Sequence, residues 1–226
     1  MSSNLGIITA EILDRMGDVS RVRDGALADG RQAIRWSANS VRALHRGNLD
    51  EAATELGHAA ELVRKLADDT RDHPAIYWAG YVQDALKEYA EAAVTSAILR
   101  REPIPTPVEL GVEDAAYLNA LAEAASELRR DVLDRLRGDD INRAEALLDV
   151  MDEVYSQLIA IDFPDAITGG LRRTTDGLRA VLERTRGDLT ITINQRRLES
   201  TIRSLEARLS DSRHSDAESG SSISTG

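Results

Sequence analysis

The placement of proline constrains this chain more than any other feature of its sequence. Its five prolines fall at only three places: Pro74, the group Pro103, Pro105 and Pro107, and Pro164. Proline breaks helix interiors but is tolerated in a first turn. The long stretches between these points carry apolar residues three and four apart, the period of a helix buried on one face. Ile34, Ala38, Val41 and Leu44 form one such series. Ala52, Leu56, Ala59, Val63 and Leu66 form a second, and Leu118, Leu121, Ala125, Leu128, Val132 and Leu136 a third. β-branched residues are sparse in these segments, and Ala, Leu, Arg and Glu dominate, a mixture that favours helices over sheets.

The pattern predicts an all-α fold: one bundle of about seven helices over residues 1–210. The first helix is expected from about Leu5 to Arg46, broken near Gly17. Asn48 with Glu51 reads as a capping box opening the second, which ends near Asp72. The third runs from Pro74 to about Arg100, the fourth from Asp114 to Arg137, and the fifth from Asn142 to Ile161. The sixth runs from Leu171 to Arg186, with Gly187 ending it. Leu189 to Asn194 alternates like a strand but has no strand to pair with, so it is read as the start of a seventh helix. From Asp211 the chain reads DSRHSDAESGSSISTG, and its six serines in sixteen residues predict a disordered tail over 211–226. Short connectors predict antiparallel neighbours.

Cysteine is absent, which excludes disulfides and thiolate metal sites. The opening MSSNLGIITAEILDRMGDVS lacks a basic region followed by an apolar run, so it does not read as a signal peptide. No stretch approaches the ~18 consecutive apolar residues of a membrane helix. The expectation is a cytoplasmic protein with no membrane contact. The net charge is −11, and only Lys65 and Lys87 among 28 basic residues are lysines. That balance suits a halophile or a GC-rich genome, and it works against binding nucleic acid by phosphate neutralisation alone.

Two acidic stripes stand out. Asp84, Glu88 and Glu91 share one face of the third predicted helix, and Glu123, Glu127 and Asp131 share one face of the fourth. Like charges at this spacing are mildly destabilising. One reading is a solvated face, which spacing alone favours in a chain with 39 acidic residues. The other is a set of converging carboxylates that raise each other's pKa values or recruit a cation. Oxygen-only ligands suit Mg²⁺ or Mn²⁺, which could activate water against a phosphodiester. A ferritin-like di-iron site needs two Glu-x-x-His elements, and the single match, Glu55 with His58, speaks against it. Tyr77, Trp78, Tyr81 and Tyr89 could stack bases, although aromatics at helical spacing more often build a core or an interface.

The string Glu88-Tyr89-Ala90-Glu91-Ala92 resembles the Glu-Tyr-x-Glu-Ala element of the translin family, in its nuclease-competent, translin-associated factor X branch. Tyr117-Leu118 followed by Leu121 to Leu128 resembles that family's Tyr-Leu and Asp-x-x-Gly-Glu-Leu segment. The connector Pro105 to Val112 is similar to a family loop, and Leu44-His45-Arg46-Gly47 looks like the end of its first helix. The resemblance implies an all-α bundle assembled into hollow, roughly octameric shells. It also implies cleavage of single-stranded RNA with Mg²⁺ held by acidic residues. By position these would be Glu88, Glu91, Glu123 and Glu127. Glu123 departs from the pattern, which has Asp there, and Ser126 replaces a Gly. The basic cluster of the binding-type members is missing, because His73 to Gly80 is nearly uncharged. Nucleic-acid contacts would then fall to Arg42, His45, Arg46, Arg172 and Arg173, each of which also reads as a surface or helix-end charge.

Three functions follow from this reading. The first is a Mg²⁺- or Mn²⁺-dependent endoribonuclease acting on single-stranded RNA inside a homo-oligomer, such as the octamer the resemblance implies. The second is a shell that binds single-stranded RNA or DNA without cleaving it. The third is a helical metal-binding regulator.

Overall fold

Most of the predicted breaks fall where proline and glycine put them. The computed structural model describes residues 2–220, with side chains described over 4–208. Its helices are α1 (Ser2–His45), α2 (Leu49–Asp69), α3 (Pro74–Tyr77), α4 (Gly80–Arg100), α5 (Pro107–Leu110), α6 (Asp114–Arg137), α7 (Ile141–Ile159), α8 (Asp165–Thr168) and α9 (Leu171–Gly220). The fold is all-α, and no strand occurs among the described residues.

Several boundaries differ from the expected ones. Gly17 does not break α1, and Gly187 does not end the sixth predicted helix, which continues through Leu189–Asn194 as α9. A lone glycine costs a helix only about 1 kcal/mol, which is too little to stop one whose other residues favour the helix and whose adjoining turns pack on the bundle. The predicted third helix is split, because the chain turns at Trp78 and Ala79 between α3 and α4. Asn48 makes no side-chain bond to the α2 backbone; its amide donates instead to Glu51. A full capping box forms at Thr106 and Glu109, opening α5. α9 reaches Gly220, ten residues into the segment read as a Ser-rich tail, and 221–226 lie outside the described residues.

The packing directions follow from the contacts. Asn39 reaches Glu55, and Trp36 packs on His58, so α1 and α2 run antiparallel. Tyr77 reaches Glu113 and Lys87 reaches Glu123, both pairs 36 residues apart. A constant offset means that α4 and α6 run parallel, not antiparallel as their order suggested. The connector through Pro103, Pro105 and Pro107 carries the chain back along α4, and Tyr117 donates to the Pro105 carbonyl to hold it there. Asn119 with Thr174 and Arg129 with Thr185 show that α6 and α9 are parallel as well. Gly30 of α1 lies against Tyr81 and Ala85, where a Cβ would meet the Tyr81 carbonyl at 3.4 Å. Two large apolar cores result, with smaller clusters around Leu158 and Leu178 and around Ala43 and Leu44. One joins α1, α2, α4 and α6 around Leu66, Leu86 and Ala120. The other joins α4, α6, α7 and α9 around Val94, Leu128, Leu147 and Leu182.

Candidate active site

The parallel register of α4 and α6 brings the two acidic stripes side by side. Because residues 36 apart sit level, Glu91 lies at the height of Glu127. Oxygens of Glu88, Glu91 and Glu123 lie within 4.8 Å of one another, and all three side chains are half-buried. Asp84, one turn before Glu88, is exposed and stands apart from them.

Lys87 is the counter-charge. Its ammonium donates to both Glu123 oxygens at 2.6 and 2.8 Å and lies 3.4 Å from Glu88. Burial pulls this ammonium down, but Glu123 and Glu88 outweigh it, so its pKa lies above the ordinary lysine value. Glu91 makes no hydrogen bond or ion pair among the described residues. Burial, then the charges of Glu88 and Glu123, push it up to about 8, with Lys87 opposing and Glu127 adding to the rise. Glu91 therefore carries a proton at neutral pH unless a cation replaces it. One turn further, the buried Thr95 hydroxyl also has no partner among the described residues.

Glu127 is held from the other side. His45, at the end of α1, has a side chain only 1% exposed, and its Nε2 stands 2.5 Å from Glu127 Oε1. Its Nδ1 is 2.9 Å from Asp131 Oδ2, out of hydrogen-bond alignment, and neither atom has another hydrogen-bond partner among the described residues. Asp131 first and Glu127 second raise the imidazole to about 9 against the effect of burial. His45 is thus a buried imidazolium clamped between two carboxylates. It faces the bundle rather than solvent.

The other basic candidates lie on the surface. Arg42 is exposed and bonded to Asn39. Arg46 is exposed and paired with Glu51 at 2.8 Å. Arg172 is exposed, 3.7 Å from Asp162, and Arg173 beside it is exposed as well. Among the aromatics, Tyr89 is buried in the first core, and Tyr77 and Tyr81 pack partly against it, whereas Trp78 is exposed. Sequence reasoning missed Lys87 as the internal counter-ion and the bridge from His45 to Asp131. The only signal for the first was a lysine beside Glu88 in a chain with just one other lysine, Lys65.

The donor set is all oxygen and carries an excess of negative charge, and one carboxylate is left without a partner. Such a set fits a hard divalent cation such as Mg²⁺ or Mn²⁺. Glu88, Glu91 and Glu123 could reach one ion together, and Glu127 stands next to them.

Comparison with solved structures agrees with the resemblance read from the sequence. The chain is 33% identical to AfC3PO, in both a crystal structure and a structure of its duplex RNA complex, with a TM-score of 0.78. The match to the RNA complex covers 83% of this chain and 97% of that one. Apo-NeC3PO shares the fold at 17% identity and a TM-score of 0.75, over 81% of this chain and 96% of that one. An uncharacterized protein of Methanocaldococcus jannaschii is 27% identical over 201 residues, 88% of this chain and 89% of that one. No family model matches the sequence. At this level of likeness to AfC3PO, the chain belongs to the translin family, of which the C3PO proteins are members.

Proposed function

We propose that this chain is a metal-dependent endoribonuclease of the translin-associated factor X type, acting in the cytoplasm on single-stranded RNA within a shell of its own copies. The observation that carries the reading is Glu91: a half-buried carboxylate held against Glu88 and Glu123, with oxygens within 4.8 Å and no ion pair of its own. A purely structural seam would have paired it. The likeness to AfC3PO, one of whose structures is a duplex RNA complex, supports RNA as the ligand.

In this reading Glu88, Glu91 and Glu123 bind Mg²⁺ or Mn²⁺, with Glu127 as the fourth acidic residue. The ion, when bound, supplies a Lewis acid and an activated water for phosphodiester hydrolysis. Lys87 keeps Glu123 in place in the ion-free site. Once released from Glu123, its ammonium stands beside the carboxylates, where it can neutralise a phosphate oxygen. His45 fixes one oxygen of Glu127 from behind. In this reading Arg42 and Arg46, exposed at the same helix end, would meet the RNA backbone, and Arg172 and Arg173 would offer a second exposed pair.

One observation favours the second reading, a shell that binds single-stranded RNA or DNA without cutting it. Lys87 already neutralises Glu123 and Glu88, and a site closed by its own lysine needs no ion. Incubation of the full chain in high KCl with end-labelled single-stranded RNA and a matched duplex separates the two. Cleavage of the single strand that requires Mg²⁺, stops with EDTA and is lost in Glu91→Gln supports the nuclease. Binding without cleavage supports the shell. Undiminished cleavage by the Glu88→Gln, Glu91→Gln double variant in EDTA contradicts the metal site.

A further inference from the structure

Two helices are far longer than the bundle they belong to. α1 has 44 residues and α9 has 50, whereas α2 and α4 have 21 each. Between residues 4 and 25 of α1 nothing is buried, and the first buried residue is Ala26. In α9 the last buried residue is Leu189, and from there to residue 208 nothing is buried. Arg196 still pairs with Asp139, just past the end of α6, so the helix beyond it projects from the bundle.

Both overhangs carry an apolar stripe that the bundle does not cover. On α1 it is Leu5, Ile12, Met16 and Val19; on α9 it is Ile191, Leu198, Ile202 and Leu205. Every one of these side chains is more than a third exposed. The two sets have the same spacing (i, i+7, i+11, i+14), and each seam is about 21 Å long at 1.5 Å per residue. Contiguous exposed apolar stripes of this kind mark interaction surfaces, and the spacing is that of a two-helix seam.

The stripes cannot meet within one chain. α4 and α9 each run parallel to α6, and α1 runs parallel to α4. The N-terminus of α1 therefore leaves one end of the bundle and the C-terminus of α9 leaves the other. Their charges are complementary. Residues 4–19 hold Glu11, Asp14 and Asp18 against Arg15, whereas residues 191–208 hold Arg196, Arg197, Arg203 and Arg208 against Glu199 and Glu206. Like overhangs would repel, and unlike overhangs attract.

We propose that the α1 overhang of one copy docks, in parallel, along the α9 overhang of a second copy. Leu5 then faces Ile191, Ile12 faces Leu198, Met16 faces Ile202 and Val19 faces Leu205. Each chain offers one half of the contact at each end, so the interface is heterologous. It propagates from copy to copy and closes into a ring when the rotation permits. This rests on the reading that the chain assembles with itself, and it is independent of the carboxylate site.

Two double variants test it: Ile12→Asp with Met16→Asp, and Leu198→Asp with Ile202→Asp, each checked for an unchanged helical circular dichroism spectrum. By light scattering the wild type should exceed its 24.7 kDa chain mass, and each variant alone should fall to a smaller species. Mixed one to one, the variants should form particles larger than either, because one intact α1 stripe meets one intact α9 stripe. A mixture no larger than its components overturns the pairing, and so do variants that keep the wild-type size; both leave self-assembly standing. A monomeric wild type overturns self-assembly and the interface together. If an Asp variant unfolds, charge reversal serves instead: Glu11→Arg with Asp14→Arg should disrupt assembly, and adding Arg197→Glu with Arg203→Glu should restore it.

Discussion

Replacing His45 by Gln should destabilise the protein in a way that depends on pH. In the native chain the imidazole is buried between Asp131 and Glu127 and raised from 6.5 to about 9. That difference corresponds to about 3 kcal/mol, at ~1.4 kcal/mol per tenfold change in proton affinity. Because the folded state holds the proton more tightly than the unfolded chain, the contribution is complete below 6.5 and disappears as pH rises through about 9. Glutamine keeps most of the volume and a hydrogen-bond donor but has no charge, and it leaves Asp131 buried without its cation, a loss of the same few kcal/mol. Urea unfolding of wild type and variant at one fixed protein concentration should therefore show a gap of about 3 kcal/mol near pH 6, shrinking above about pH 9 to the smaller packing difference. An equal gap at both pH values would refute the argument, since it would mean that His45 is neutral and acts by shape alone.

Lys87→Met should tighten Mn²⁺ binding by about tenfold or more in calorimetric titration, because the competing ammonium is gone and Glu123 is freed; weaker binding would make Lys87 part of the binding competence of the site. With Glu91 at about 8, ion uptake near neutral pH should release about one proton per ion, and well above that value almost none. Calorimetry in buffers of different ionisation enthalpy checks this, and a proton count that does not change with pH would count against a buried, protonated Glu91. Thr106→Ala removes the capping box that opens α5 and should lower stability by about 1 kcal/mol in thermal unfolding; a neutral result would mean that α5 contributes nothing to holding the connector.

Helix content and most helix limits were legible because proline, glycine and the apolar period are local signals. Gly47, Pro74, Pro107 and Pro164 all mark real boundaries, and the Glu88–Glu91 and Glu123–Glu127 spacings placed each stripe on one face. The relative direction of α4 and α6 was not legible. The connector 101–113 read as a plain loop, yet the nine residues outside α5, extended at about 3.3 Å each, are enough to reach back along the ~31 Å length of α4. Only with that return does Lys87 come level with Glu123. The partner of His45 was hidden for the same reason: its contacts with Glu127 and Asp131 cross 82 residues or more of chain, and no local pattern encodes them. The overhangs were hidden as well, since breaks at Gly17 and Gly187 would have shortened α1 and α9 to the size of their neighbours.

In the proposed function the carboxylates between α4 and α6 take up a divalent ion in place of the Lys87 ammonium. A crystal of the full chain soaked in Mn²⁺ and measured at the manganese edge tests this most directly. The expected result is one anomalous peak per chain between Glu88, Glu91 and Glu123, with Lys87 turned away from Glu123 and no peak in Glu91→Gln. A map without a peak there, with Lys87 still bonded to both Glu123 oxygens, would contradict it.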